Sequence, residues 1–284
     1  MFLPLKGRNR YVPPPSRGRL GGGWGICRSS INSASRRTGI EMSEALLSSG
    51  KIGDTLKEIE DTLLDKFRDS LHCLILYGSW AKGTAREDSD IDVLAIFSTL
   101  GKETGKSLFD VERRIRGRNV TLVPSSLEDF QKEKIPLFTA AKREGKIIYG
   151  DVDRSINPEP PELKYSEFFK RSRQFESQKV RIAEELLEKD LLSGVSDFCY
   201  VASKHAIQAA LAMKGEGYSS KVVVLAPLTE KYFGREIETA FKNLFKLYVK
   251  SEYLMDFLSA EEARTAIDYA EKILKVYDLT ERTQ

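Results

Sequence analysis

The tightest constraint on this chain is a pair of seven-residue apolar runs, Leu71-His-Cys-Leu-Ile-Leu-Tyr77 and Ile91-Asp-Val-Leu-Ala-Ile-Phe97, joined by a polar stretch that begins Gly78-Ser79 and ends Asp90-Ile-Asp92. Nearly continuous apolar runs of this length read as strands covered on both faces, so helices must pack above and below them. The flanking sequence supplies those helices. Leu56, Ile59, Leu63 and Phe67 share one helix face, and Asp54 is placed to cap it. Leu108 to Arg116, Ser126 to Lys134 and Pro136 to Glu144 read as further helices, with a short one opening at Gly78-Ser79. Asn119 to Val123 and Lys146 to Tyr149 read as further strands. Residues 42–150 are therefore expected to form an α/β domain.

Residues 151–163 hold three prolines and no hydrophobic period, and read as a linker. Beyond it the period is helical throughout. Phe168, Phe175 and Ile182 recur in sevens and are expected to face a core. Phe198, Ala202, His205 and Ala209 mark a second helix, and Ile237, Phe241, Leu244 and Tyr248 a third. Ala263, Ile267, Ala270, Leu274 and Tyr277 mark a fourth. Four amphipathic helices with medium loops predict an antiparallel all-α bundle over 164–284.

Residues 1–41 belong to neither pattern. Pro13-Pro14-Pro15, Gly21-Gly22-Gly23 and scattered Arg and Ser offer no core, so a disordered basic tail is expected, with Met42 a candidate true start. Eight of the chain's basic residues and no acid fall in 1–40, so a net charge of +3 for the whole becomes −5 for the remainder. A mildly acidic folded part argues against a broad nucleic-acid surface, and nucleic acid is not expected as a partner. No apolar run approaches the ~18 residues of a membrane span. Cys27, Cys73 and Cys199 stand far apart and only two histidines accompany them, which indicates neither a zinc site nor a disulfide framework and points to the cytoplasm.

The chemistry lies in the connection between the two apolar runs. Asp90 and Asp92 are two apart at the start of a strand, so their carboxylates project from one face. Carboxylate oxygens suit Mg²⁺, which completes its shell with waters and substrate phosphates. Acids at the mouth of an apolar strand are costly unless something compensates them. Gly78-Ser79 offers backbone N–H groups and a hydroxyl to an anion, with no side chain at Gly78 to block approach. A phosphate binder and a metal binder facing one crevice is what phosphoryl or nucleotidyl transfer needs.

Gly-Ser, ten residues, then Asp-x-Asp, with a strand on each side, resembles the signature of the minimal nucleotidyltransferase (MNT) branch of the polymerase-β-like superfamily. The Ala-Lys-Gly-Thr-Ala-Arg spacing, the Ser-Asp-Ile-Asp ending and the closing Arg-Glu-Gly-Lys-Ile-Ile-Tyr-Gly match too, so the resemblance covers about Asp54 to Gly150. The bundle behind it is similar in topology to a HEPN domain, the helical partner often fused to this branch. Together they imply a two-domain α+β/α fold, a nucleotidyltransferase α/β domain followed by an antiparallel helical bundle. The resemblance also implies roles: Ser79 with Gly78 at the terminal phosphates of the nucleotide, Lys82 on the triphosphate where arginine is commoner, and Asp90 and Asp92 as catalytic ligands of two Mg²⁺ ions, or of one. The family adds a third acid on the next core strand, and here that position carries Thr121. A hydroxyl neither chelates Mg²⁺ strongly nor takes a proton at neutral pH. Either a carboxylate from elsewhere substitutes, or the domain binds nucleotide and turns over poorly.

Other signals are weaker. Gly101-Lys-Glu-Thr-Gly-Lys-Ser107 has three residues between its glycines where a P-loop has four, and reads as a surface loop. His205 lacks the upstream arginine of HEPN ribonucleases and reads, like His72, as a core or interface histidine. Cys73 and Cys199 read as small buried hydrophobes. Trp80 could stack on a base or cap the core. The leading expectation is thus a Mg²⁺-dependent nucleotidyltransferase moving a nucleoside monophosphate from an NTP, expected to be ATP, to an acceptor hydroxyl on a small molecule or a protein. The alternative is a non-catalytic nucleotide-binding regulator, or an antitoxin-like module, whose bundle forms a homodimer; Thr121 favours it. RNA tailing ranks third, because 19 basic and 19 acidic residues leave 164–284 neutral.

Overall fold

The computed structural model describes residues 52–101, 104–115 and 119–282; the basic tail with Met42 and Cys27 lies outside the described residues. Strands β1 (Leu71–Tyr77), β2 (Ile91–Phe97), β3 (Val120–Ser126) and β4 (Lys146–Gly150) form one sheet in the order β3-β2-β1-β4. β1 runs antiparallel to both β2 and β4, while β2 and β3 are parallel. Helices α1 (Gly53–Phe67), α2 (Gly78–Ala81), α3 (Thr104–Glu112), α4 (Leu127–Gln131) and α5 (Pro136–Glu144) accompany the sheet. Alternation along β2 divides the core. Ile91, Val93, Ala95 and Phe97 pack with Leu56, Ile59 and Leu63 of α1 and with Leu108 and Val111 of α3. Leu94 and Ile96 pack with Phe130 of α4 and with Phe138 and Ala141 of α5. Burial of each such side chain stabilises by about 1.5–3 kcal/mol.

Several boundaries differ from the sequence reading, among them the end of α4, which stops at Gln131 and not at Lys134. Ile52, not Asp54, is the N-cap of α1; Asp54 sits inside the first turn, where its charge still meets the positive end of the helix. Helix α3 begins at Thr104 and stops at Glu112, whose carboxylate accepts the backbone N–H of Leu122, while Arg116 lies outside the described residues. Strand β3 continues past Val123 because its register with β2 holds to Ser126. Pro124 is tolerated there because β3 is an edge strand.

The C-terminal part holds α6 (Pro161–Lys164), α7 (Ser166–Glu188), α8 (Leu192–Met213), α9 (Val222–Phe233), α10 (Arg235–Glu252), α11 (Ala260–Leu274) and α12 (Val276–Glu281). Alanines at 202, 206, 209, 210 and 212 are all buried on α8, so neighbouring helices approach it closely from several sides. Helix α9 was not expected; Pro227 within it breaks the helical signal. Of the stripe read for α7, Phe168 packs against the helical core and the other two residues face outward. Phe175 and Ile182 are 62% and 40% exposed, and Phe169, Ser172, Glu176, Val180 and Ala183 are buried instead. Polar residues mask that face in the sequence but are satisfied in the structure. Ser172 and Tyr277 share a 2.8 Å hydrogen bond, and Glu176 holds Lys179 at 2.7 Å.

The segment read as a linker is pinned to the sheet domain. Asn157 donates its backbone N–H to Glu133 Oε1 (2.7 Å), and Lys142 Nζ donates to the Ser155 carbonyl (2.9 Å). Glu133, fully buried between α4 and α5, also takes Lys142 Nζ at 2.9 Å and Lys164 Nζ at 2.8 Å. Burial pushes its carboxyl up, but hydrogen bonds from Lys164, Thr139, the Asn157 amide and Lys142 override that and bring it down to about 2.

Candidate active site

The structure brings the motif residues to one end of the sheet. Tyr77, the last residue of β1, pairs with Asp92, and Asp92 pairs in turn with Thr121 across the parallel β2–β3 ladder. In-register neighbours share a face, so Asp92 and Thr121 lie side by side on the face of Leu94 and Ile96. Gly78 turns the chain at φ 72°, and a Cβ built there would collide with the Asp92 carboxylate. Glycine is thus required twice, for the backbone conformation and for the space. The loop from α2 back to β2 is held by Thr84 N–H to the Ser79 carbonyl (2.9 Å), Trp80 Nε1 to the Ser89 carbonyl (3.1 Å) and Arg86 N–H to Ser89 Oγ (2.8 Å). Trp80 also packs on the α1 side of the sheet, which makes it a core cap and not an exposed stacking platform.

Electrostatically the site is strained in one direction. Asp90 is exposed and Asp92 half-buried. Burial, with the Asp90 charge beside it, pushes the Asp92 carboxyl up to about 6. Burial and Asp92 likewise push up the Tyr77 phenol. Tyr218, in the loop between α8 and α9, is likewise raised by burial, and slightly by the Asp92 charge, against an opposing hydrogen bond from Gln208. Lys82 is engaged: its Nζ lies 2.6 Å from Glu144 Oε2 at the end of α5, both half-exposed. Thr121 is exposed, and among the described residues no group of three or more His, Cys, Asp or Glu is placed to hold a metal ion.

Of the motifs set aside, the described part of the 101–107 segment is Gly101 and the first turn of α3, with Gly101 N–H on Thr104 Oγ1 (3.0 Å) and Lys66 Nζ on the Ser107 carbonyl (3.3 Å). His205 is partly exposed, 3.3 Å from Glu176 Oε1. Cys73 and Cys199 are buried and their thiols are pushed up to about 12 by burial, which leaves them unreactive. Glu144, Tyr218 and the Glu133 cluster escaped sequence reading because each acts across elements distant in the chain.

Comparison with known proteins fits this geometry. The polymerase beta nucleotidyltransferase family matches residues 57–154, and the HEPN domain family matches residues 177–280. A Methanocaldococcus jannaschii protein named as a protein adenylyltransferase is 33% identical over 105 residues, 34% of this chain and 71% of the relative. The chain belongs to the polymerase-β-type nucleotidyltransferases, an enzyme family, and carries a HEPN domain behind the nucleotidyltransferase domain. Among solved structures, a spectinomycin adenyltransferase of Enterococcus faecialis, crystallised with ATP and spectinomycin, is similar at TM-score 0.46 and 15% identity, over 78% of this chain and 98% of that one. A nucleotidyltransferase-like protein of Exiguobacterium sibiricum is similar at TM-score 0.37 and 13% identity, over 79% and 76%. No helix of the described residues is long and apolar enough to cross a membrane.

Proposed function

We propose that the enzyme transfers a nucleoside monophosphate from ATP to a hydroxyl on a small molecule or a protein, in the cytoplasm, with Mg²⁺ held by Asp90 and Asp92. The observation that carries this is the Asp92 carboxylate, pressed against Gly78 and driven up to about 6 by burial and by Asp90. Such a pair is disfavoured as two bare charges and is relieved by a divalent cation, so the donor set fits Mg²⁺. When bound, the ion would neutralise charge building on the α-phosphate and the departing pyrophosphate. Ser79 and the amides after Gly78 would hold the terminal phosphates, and Lys82, keeping Glu144 as its partner, would turn its remaining N–H groups to the triphosphate. The name of the archaeal relative inclines the acceptor toward a protein hydroxyl. A homodimer through the bundle belongs to the same proposal; Phe175 and Ile182 are the exposed α7 residues available to it. The test is calorimetric: Asp90→Asn is expected to remove Mg²⁺-dependent ATP binding while the melting curve is kept, and equal affinity in both proteins would refute the assignment.

Thr121 favours a second reading, a nucleotide-binding regulator that does not turn over. It stands beside Asp92 where a general base would stand. A general base contributes about 10²–10⁴-fold, so Thr121→Asp should raise pyrophosphate release from Mg·ATP if only the base is missing. A fall would mean that another carboxylate already serves and that the new charge repels it. Tight ATP binding with no release from either protein would favour the regulator.

A further inference from the structure

We propose that the acceptor enters through the crevice between α5 and the loop 214–221, and that it carries an anionic group beside its hydroxyl, received by Arg143. This rests on the nucleotidyl-transfer reading above and names its substrate class. The crevice, about 80 Å³, is walled by Arg143 and Glu144 from the sheet domain and by Lys164, Glu216 and Tyr218 from the helical domain. One contact joins it to the reacting centre: Glu144 holds Lys82 at 2.6 Å.

The charges in this wall are nearly all committed. Lys164 is matched by Glu133 (2.8 Å), Glu216 by Lys231 (3.1 Å) and by the Tyr232 hydroxyl, and Glu144 by Lys82. Arg143 is exposed and has no hydrogen-bond or ion-pair partner among the described residues. The crevice is left with one uncommitted positive charge, on a planar fork that fits a carboxylate or a phosphate. Tyr218 stands on the facing wall, and the loop that carries it is held where Gln208 Nε2 donates to the Ser219 carbonyl at 2.6 Å. In the transfer, the acceptor oxygen bonds to the α-phosphorus, the bond from that phosphorus to the bridging oxygen breaks, and pyrophosphate leaves with the electron pair. The hydroxyl proton passes to water.

The test uses the full chain with saturating Mg·ATP and three acceptors built on one ring: glucose 6-phosphate, glucose and glucosamine. Pyrophosphate release should favour glucose 6-phosphate over glucose by about 10-fold or more in kcat/KM, as a charge-assisted hydrogen bond does, with glucosamine lowest. Arg143→Gln should erase that order, and Arg143→Glu should turn it toward glucosamine, both with unchanged Mg·ATP affinity by calorimetry and an unchanged melting temperature. A wild type that prefers glucosamine, or that uses none of the three while binding Mg·ATP, overturns the inference. So does an order that survives Arg143→Gln, since Arg143 would then only complement the end of α5. Failure of the wild type to bind Mg·ATP would overturn the underlying function and this inference with it.

Discussion

Asp92→Asn is expected to abolish turnover and, in the same protein, to raise the melting temperature measured without metal. The two effects have one cause. Asp92 is held half-buried, against Gly78 and beside Asp90, and its carboxyl is driven up to about 6 from the ordinary 3.8 of an aspartate. A carboxyl whose folded value lies above its unfolded value binds its proton more tightly in the folded state, so stability declines as pH rises from about 4 to about 6 and stays reduced above that. The full shift corresponds to about 3 kcal/mol, and solvent screening at a half-buried group reduces this to about 1–2 kcal/mol. Asparagine keeps the shape without the charge. It should therefore melt several degrees higher than wild type at pH 7.5 and show no advantage at pH 4. Added Mg²⁺ should stabilise the wild type and leave the mutant unmoved. Loss of the ligand should lower pyrophosphate release by at least about 10³-fold, roughly 4 kcal/mol of transition-state stabilisation. Equal melting of both proteins at pH 7.5 would show that Asp92 is not strained by its surroundings.

That coupling of strain to chemistry explains why this site was readable in the sequence. Acids at the mouth of a strand as apolar as Ile91–Phe97, ten residues after Gly-Ser, contradict their local setting, and the contradiction marks function. The sheet was readable for the opposite reason, since β1 and β2, Asp92 and His72 apart, are apolar throughout as their setting demands. Reading failed where polar residues do structural work. The α7 stripe was placed on Phe168, Phe175 and Ile182 because Ser172 and Glu176 look like surface residues, yet each is buried and has a partner more than 25 positions away. The proline-rich 151–163 segment looked loose because the carboxylate that anchors it, Glu133, stands in another loop. Lys82 was read for phosphate alone because Glu144 lies far along the chain. Periodicity reports which side chains avoid water, and it is silent on which polar groups find one another.

Glu133 is where the second large effect is expected. Its carboxylate is fully buried and takes Lys142 and Lys164, whose side chains are 3% and 6% exposed. Lys164 belongs to α6, at the entry to the helical domain, so the cluster couples the two halves of the molecule and sets α5, which carries Glu144, against the loop with Tyr218. Glu133→Gln keeps the volume but leaves two nearly buried ammonium groups without a countercharge, and should cost about 3–5 kcal/mol. The pH dependence gives an independent check. Hydrogen bonds from Lys164, Thr139, Asn157 and Lys142 outweigh burial and hold the carboxyl at about 2, below the ordinary 4.5 of a glutamate. A depressed carboxyl contributes stability that is fully present above about pH 4.5 and disappears as pH falls toward 2, here about 3 kcal/mol. Wild type and Glu133→Gln should therefore differ most above pH 5 and converge toward pH 2.5 in urea unfolding. Replacing all three partners, Glu133→Leu with Lys142→Met and Lys164→Met, should recover much of the loss, because the cost lies in stranded charge and not in lost attraction. If the single variant unfolds within about 1 kcal/mol of wild type at pH 7, water reaches the cluster and the two halves are held by apolar contact alone.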